Sequence, residues 1–340
     1  MNNLKSESAG DSNTTVAYQR CYRLTVNNQY VFEQTTKKMG FAIYFCVKKN
    51  IKSDGKKSSN TMEVKIYNVS QANLQNFTND QSIVLECGYS DKLGTIFSGT
   101  ITSIQAADNG RDTITTIQAK ENVLASQLDW TKRAFTIRKG STVKDGVESL
   151  CSEIVNVYPS INSFVTEGLP SQPFIRDKHV LEDPFESLYS LLQPFFMTYY
   201  VNNGVLYVLP GLGKNQYLTT EVSSKSGMIG QPQKIIDKKK SKKNVKDTSL
   251  KVEASGFQVT TLLNPRLEIG DRINLTIDNP VADSAGNLIT NYPSLQIVSI
   301  VYKGNSYTGQ WINVINAEDV PKPQPSGIEV NYNWDKGLLA

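Results

Sequence analysis

The chain has 340 residues, of which 39% are hydrophobic and 20% charged, and its formal net charge at pH 7 is +4. This composition is typical of a folded globular protein of two or three domains, and so mild a charge does not by itself indicate a nucleic-acid partner. No apolar run is long enough to predict a transmembrane helix. Residues 1–16 have no apolar signal core, so we expect a flexible N-terminal arm and no secretory peptide.

Residues 17–121 are rich in β-strand patterns. Apolar and polar residues alternate in RCYRLTVNN, GFAIYFCVKKN, TMEVKIYN and SIVLECGY. Ser70 is placed to cap a short helix, SQANLQNF, between the third and fourth of these. The Asn-Gly pair in DNGRD predicts a hairpin that joins GTITSIQAA to TITTIQAKE. We therefore expect a first small antiparallel β-barrel here.

Residues 122–215 predict an α+β insertion. STVKDGVESLCSEIVNVYP and LEDPFESLYSLLQP have apolar residues at helical spacing, and FFMTYYVNNGVLYVLP predicts a hairpin that turns at its Asn-Asn-Gly. The residues expected to cap or end the helices are Ser141 or Thr142 for the first, and Asp183, Pro184, Glu186 and Pro194 for the second.

The C-terminal part repeats the earlier order of patterns. After a Lys-rich linker, residues 216–248, a second β-barrel is predicted over residues 249–320, followed by a Pro-rich tail, residues 321–340. TSLKVEASG takes the place of TMEVKIYN, GDRINLTI that of SIVLECGY, and LQIVSIVYKGNSYTGQWINVINAED that of the long hairpin. The fold class is thus mainly β with an α+β insertion and two similar small antiparallel β-barrel domains, although any two antiparallel β-domains look alike at this level.

The second long hairpin is apolar on both faces. In residues 297–302 and 311–315, apolar side chains occur on both faces of the predicted strand. A strand with one face in solvent would instead have polar side chains on that face. We expect one face to fill the barrel and the other to be covered by another domain or subunit. The residues predicted to pack between subunits are Ile297, Val301, Trp311 and Ile315.

Residues that carry catalysis or bind metals form no recognisable motif. His179 is the only histidine, and with Glu182 and Asp183 nearby it makes a weak metal site, since Asp183 is better explained as a helix cap. The four cysteines are far apart and are expected to be reduced and packed as small hydrophobes. We predict no catalytic, cofactor-binding or metal-binding residue, and no enzyme.

Four motifs in order resemble the tail hub proteins of contractile-tailed bacteriophages, a family shared with related contractile injection systems. VKIYNVSQANLQNF and IVLECGYSDKLGTIFSGTI are followed by VTTLLNPRLEIGDRINL and GQWINVINAED, and together the match spans roughly residues 17–320. One position departs, because Ile269 stands where the family has Pro. The residues that carry the resemblance include Tyr67, Asn68, Gly88, Tyr89, Gly99, Asn264, Pro265, Gly270 and Asp271.

The resemblance implies a structural baseplate hub. Such a hub is a homotrimer with two related tube-type barrels per chain, so that a three-fold ring presents six similar units and adapts a six-fold tail tube to a three-fold spike. The implied partners are further copies of itself, the spike or needle, the tail tube or its initiator, the tape-measure protein, and baseplate wedge or sheath-initiator proteins. DNA would only pass through the lumen. The implied location is the virion tail baseplate, assembled in the bacterial cytoplasm, with no membrane partner and no cofactor.

Two other functions stay open from the sequence. Small β-barrels also bind single-stranded nucleic acids, and a Lys cluster could contact phosphates, although no aromatic residue lies within it. A hub that degrades the cell wall is the other alternative, but no pair of acids stands out. The cluster consists of Lys234, Lys238, Lys239, Lys240, Lys242, Lys243 and Lys246.

Overall fold

A computed structural model describes most of the chain between residues 19 and 319. The described ranges are 19–51, 60–90, 92–108, 110–121, 135–158, 160–180, 183–195, 197–210, 219–236, 255–282, 288–319, 332–333 and 338–339. The predicted N-terminal arm, most of the Lys-rich linker and nearly all of the C-terminal tail lie outside them. Strands dominate what is described, which confirms the mainly β fold with an α+β insertion.

The first β unit is an antiparallel sheet in the order β3-β4-β7-β6-β5-β1-β2. The side chains of Ile43, Phe45 and Val47 are fully buried, as their alternation predicts. Ser70 precedes the short helix, and Phe77 beyond it is buried. The elements are β1 (Arg20–Val26), β2 (Tyr30–Gln34), β3 (Ile43–Asn50), β4 (Thr61–Tyr67), α1 (Gln71–Leu74), β5 (Ser82–Tyr89), β6 (Lys92–Asp108) and β7 (Thr113–Lys120).

The insertion has a hydrophobic core of its own, built from two helices and short strands. Thr142 caps the first helix in a reciprocal capping box with Asp145. Asp183 caps the second by accepting the Phe185 amide, in place of the predicted box with Glu186. The elements are β8 (Phe135–Ile137), α2 (Val143–Val157), β9 (Ser163–Thr166), β10 (Lys178–Val180), α3 (Pro184–Leu192), β11 (Met197–Asn202) and β12 (Val205–Pro210).

The second β unit has the sheet order β14-β15-β18-β17-β16-β13. Its elements are β13 (Thr219–Val222), β14 (Gln233–Ile236), β15 (Ser255–Leu262), β16 (Arg272–Ala282), β17 (Leu288–Asn305) and β18 (Trp311–Asp319). One prediction is wrong here: β15, and not TSLKVEASG, takes the place of β4, and most of that segment lies outside the described residues. Two short strands, β19 (Tyr332–Asn333) and β20 (Leu338–Leu339), pair with each other.

The two units repeat one arrangement strand by strand. β3-β4-β7-β6-β5-β1 in the first corresponds to β14-β15-β18-β17-β16-β13 in the second. The last pair differs, since β1 runs antiparallel to β5 whereas β13 runs parallel to β16. Among the described residues both strand paths are open, so closure into barrels stays a prediction.

A β-bulge recurs at the same point of both long hairpins. The register of β6 on β7 shifts between Ile101 and Ser103, and that of β17 on β18 shifts between Ile297 and Ser299. Each bulge is followed by a matching polar contact: Ser103 Oγ donates to Gln118 Oε1 at 3.2 Å, and Asn316 Nδ2 donates to Ser299 Oγ at 3.0 Å. Because a bulge depends on local register, its recurrence supports a true structural repeat.

The turn that leads into the next strand is also repeated. The amide of Asp80 donates to Ile101 O at 3.0 Å, and the amide of Gly270 donates to Ile297 O at 2.9 Å. Both turn residues have left-handed backbones, with φ of 69° and 88°. Glycine adopts this conformation without penalty, and aspartate is among the residues that tolerate it.

The two units are joined edge to edge into one sheet of 13 strands. β17 pairs antiparallel with β3, from Ser299 opposite Asn50 to Asn305 opposite Tyr44. Two aromatic rings, Phe45 and Trp311, pack edge to face across this joint with centroids 5.2 Å apart. The joint is therefore both hydrogen-bonded and filled by hydrophobic side chains.

Candidate functional site

Of the residues considered for a metal site, His179 and Asp183 lie within the described ranges, and each contacts other protein groups. His179 is on β10, and its Nδ1 lies 2.8 Å from Thr136 Oγ1. Asp183 is engaged by the Phe185 amide and the Tyr158 hydroxyl, and Glu182 lies outside the described residues. Within the described ranges, no cluster of three or more histidine, cysteine, aspartate or glutamate residues could hold a metal ion.

Two further sequence features can be placed in the same way. Searched over its described residues, the fold has no helix long and apolar enough to cross a membrane. Of the Lys cluster, only Lys234 is described, at the exposed edge strand β14. The other six lysines of that cluster lie outside the described ranges.

The first group of motif residues shapes the first unit and reaches the joint. Asn68 has φ of 59°, and its side chain accepts the amide of Thr113, which ties the end of β4, at Tyr67, to the start of β7. Gly88 and Gly99 lie where strands approach closely, so that a Cβ at either position would clash with a carbonyl of the neighbouring strand.

The second group lies on the link before β16 and touches the first unit. A Cβ at Gly94 would lie only 2.8 Å from Pro265 Cβ, so the glycine lets the link pack closely. Asn264 O accepts a hydrogen bond from Asn313 Nδ2 at 2.9 Å. Asp271 O accepts the Ile297 amide at 2.9 Å, beside Gly270 in its left-handed turn. These residues fix the geometry of the second unit and its contact with the first.

The tyrosine of the Gly-Tyr motif connects the two units through its side chain. The hydroxyl of Tyr89 donates to Trp311 O at 3.3 Å, and burial raises the pKa of Tyr89 to about 12. From β1, the Arg20 guanidinium lies over the Trp311 ring and donates to Asn305 O at 2.8 Å. Of the motif residues, Tyr89 and Pro265 therefore contact the other unit, whereas Asn68 and Gly99 make their contacts within the first unit.

A buried ion pair lies where both β units meet the insertion. Lys49 Nζ is 3.5 Å from Glu121 Oε1, and neither side chain is accessible to solvent. Asn60 Nδ2 donates to Glu121 Oε2 at 2.8 Å and to Val201 O at 2.7 Å. Because a charge is buried at a high desolvation penalty, both ions depend on these partners.

The Asn-Asn turn between β11 and β12 completes this polar node. Lys49 donates to the side-chain oxygens of Asn202 at 2.8 Å and Asn203 at 2.5 Å. The amides of the same two side chains donate to Glu268 at 3.0 and 3.1 Å. A lysine of the first unit, the insertion hairpin and a glutamate of the second unit are thus held in one network. We call Lys49, Asn60, Glu121, Asn202, Asn203 and Glu268 the central node.

Burial raises the pKa of Glu121, and the nearby Lys49 ammonium opposes this shift. The alternation of β3 could have pointed to the node, since Lys49 follows Ile43, Phe45 and Val47 on the same inward face. A lysine at an inward position requires an acidic partner. The sequence does not show which acid supplies it.

The set predicted for subunit packing is corrected by the structure. Ile297 and Ile315 are fully buried and Trp311 is 2% exposed, all within the chain's own core. The bulge after Ile297 shifts the alternation of β17 by one residue, so that Ile300 and Tyr302 also point inward. Only Val301 of the predicted set lies on the opposite face, where Val314 is its cross-strand partner and Ile312 is also half-buried.

Solved structures that share this fold include phage tail proteins and a secretion protein. The tail protein from Neisseria meningitidis MC58 has 11% identity and a TM-score of 0.57, covering 89% of this chain and 97% of that one. The 43 kDa tail protein of prophage MuSo2 from Shewanella oneidensis has 10% identity and a TM-score of 0.56, covering 88% and 96%.

A third structure of the same fold is an E. coli component of the type VI secretion system, described as similar to the T4 tail proteins gp27 and gp5. It has 9% identity and a TM-score of 0.52, and the match covers 88% of this chain and 77% of that one. No protein-family model and no curated protein matches the sequence. The chain therefore has the fold of phage tail proteins and of a type VI secretion component, which is the fold that its hub-like motifs predict.

Proposed function

We propose that the protein is the structural hub of a contractile-tail baseplate, a homotrimeric ring that adapts a six-fold tail tube to a three-fold spike. The observation that carries this proposal is the repeat of sheet order, bulge and turn in its two β units. Three chains with two such units each present six similar surfaces while keeping true three-fold symmetry. The shared fold of phage tail proteins supports the same proposal.

In this proposal the protein acts by assembly and carries out no catalysis. Its partners are the tail tube or tube-initiator protein on one face, the spike or needle on the other, and wedge or sheath-initiator proteins around it. The tape-measure protein, and later DNA, would occupy or cross the lumen. The place of action is the virion baseplate, with assembly in the bacterial cytoplasm.

The molecular mass in solution tests this function. We expect light scattering after size exclusion to give about three times the chain mass of 37.8 kDa, either alone or after the spike protein is added. End-on class averages should show a ring with six similar lobes. A single-chain mass in every mixture would contradict the proposal.

Lysines on one face of the joined sheet favour a second candidate function, binding of single-stranded nucleic acid. Lys48, Lys65 and Lys303 point to the same side, and the Lys65 ammonium lies over the Tyr44 ring at 5.9 Å. Single-strand binders combine such charge with aromatic platforms. Anisotropy of a labelled oligonucleotide at rising salt separates the two functions, because only a true binder shows tight binding with a steep salt slope. A zymogram tests the cell-wall-degrading alternative.

A further inference from the structure

The two long strands β6 and β17 are equivalent, yet their second halves have different surroundings. In β17, residues 288–296 pair with β16, and residues 299–305 pair with β3 of the other unit. In β6, residues 92–100 pair with β5, but residues 103–108 pair only with β7 among the described strands. The second half of β6 therefore presents a hydrogen-bonding edge that its counterpart uses to join the units.

Side-chain burial follows the same difference. The matching bulges align Ile104 with Ile300 and Ala106 with Tyr302. Ile300 and Tyr302 are fully buried, whereas Ile104 is half-buried and Ala106 is exposed. An exposed edge strand of this kind is a template for pairing with another chain.

The complementary edge lies at the other end of the sheet. β14 pairs with β15 as β3 pairs with β4, and their registers place Gln233 at the position of Cys46 and Lys234 at that of Val47. Val47 is fully buried beneath β17, whereas Lys234 is exposed. In the described part of the chain, β14 has β15 as its one strand partner.

We propose that residues 103–108 of one subunit pair antiparallel with β14 of a second copy of this chain, repeating between subunits the joint that β17 and β3 make within one. The inference rests on the proposed ring and specifies its contact. The register follows from the internal joint: Lys303 lies opposite Cys46, so Ala107 lies opposite Gln233. Within one chain, β14 and β6 are the first and last strands of the eight-strand path β14-β15-β18-β17-β3-β4-β7-β6. The described pairings do not join these two strands to each other.

The internal joint also shows which residue pairs suit a disulfide. Ile51 N donates to Val298 O at 2.9 Å and Ser306 N donates to Ile43 O at 3.0 Å, and these pairs are in register with the joint. Hydrogen-bonded and non-hydrogen-bonded residue pairs therefore alternate along the joint, and Cys46 and Lys303 form a non-hydrogen-bonded pair. Such positions bring Cα atoms to about 4.5 Å, within disulfide range.

The test uses the full chain with the Cys46→Ser change as background. The double variant Ala107→Cys/Gln233→Cys is oxidised mildly and run on a non-reducing gel. We expect covalent species of two and three chains that disappear on reduction. Ala107→Cys/Ile235→Cys is the register control, since it shifts the pair by two residues to a diagonal distance of about 7–8 Å and should cross-link at least several-fold less.

The internal joint supplies a positive control. Lys303→Cys with native Cys46 should form a disulfide within one chain, leaving its mass unchanged on the gel. Suppose that this control is oxidised and that the protein has the mass of a trimer. If Ala107→Cys/Gln233→Cys then gives no covalent multimer, or only an internal disulfide, the proposed contact is wrong, although the protein is still a trimer. If the unlinked protein has the mass of one chain in every mixture, the hub proposal fails, and this contact fails with it.

Discussion

Lys49→Met should destabilise the protein strongly, because it leaves the Glu121 carboxylate buried without its cation. At 3.5 Å and an effective dielectric constant of about 20, the two charges attract each other by about 5 kcal/mol. The carboxyl can instead take up a proton, which from its ordinary pKa of 4.5 costs about 3.4 kcal/mol at pH 7. Protonation of Glu121 costs less free energy than keeping its charge without the lysine. We therefore expect a loss of roughly 3–4 kcal/mol in the free energy of unfolding, which is within the range for broken buried pairs.

The loss in free energy of unfolding that Lys49→Met causes should become smaller as the pH falls. The pKa of Glu121 is already raised in the folded parent, and removing the Lys49 ammonium that opposes this shift raises it further. The contribution of Glu121 to the stability of the variant is therefore present below its unfolded pKa and is lost as pH rises through the folded one. At pH 5.5 the cost of protonation is about 1.4 kcal/mol, so the variant should recover roughly 2 kcal/mol relative to the parent.

Urea denaturation at both pH values measures these differences. Lys48→Met is the matched control, since this neighbouring lysine is exposed on the other face of β3 and should change the free energy of unfolding by less than about 0.5 kcal/mol. The double variant Lys49→Met/Glu121→Gln should be more stable than the sum of its single changes predicts. Additive single changes, or a Lys49→Met loss below about 1 kcal/mol that is independent of pH, would refute the reasoning.

Two further pairs of substitutions test the core and the repeated turn. Trp311→Asp places a charge where the side chain is 2% exposed and should prevent folding, which circular dichroism would show. Val314→Asp lies on the half-buried opposite face of the strand and should leave the chain folded. Equal effects of the two changes would contradict the assigned faces. Gly270→Ala, at φ of 88°, should cost about 1–2 kcal/mol in urea denaturation, whereas Asp80→Gly at the equivalent turn should cost nothing or stabilise; a neutral Gly270→Ala would argue against the turn geometry.

Much of the fold could be predicted from local patterns. Alternation located most strands, Thr142 and Asp183 cap the helices as expected, and the Asn203-Gly204 pair lies at the turn between β11 and β12. These signals are short-range, so the sequence carries them directly.

Features that depend on register could not be predicted in this way. A bulge adds one residue to a strand, and the single shift after Ile297 reversed which side of β17 faces the core. The central node unites residues as distant in sequence as Lys49 and Glu268, and no local pattern pairs them. The equivalence of β14 with β3 appears only once strand partners are known, because β14 is a strand of four residues.

The joint between β3 and β17 lies within one polypeptide, and this has a consequence for how the proposed ring would assemble. Because β3 and β17 are tethered by the same chain, their contact forms at an effective concentration that the chain sets, and dilution of the protein does not break it. In a ring of six separate units all six contacts form between molecules, whereas three tandem pairs leave only three contacts to form between molecules. Hydrogen exchange of the β3 amides should accordingly be the same in dilute and concentrated samples, and completion of the ring alone should respond to the amount of protein present.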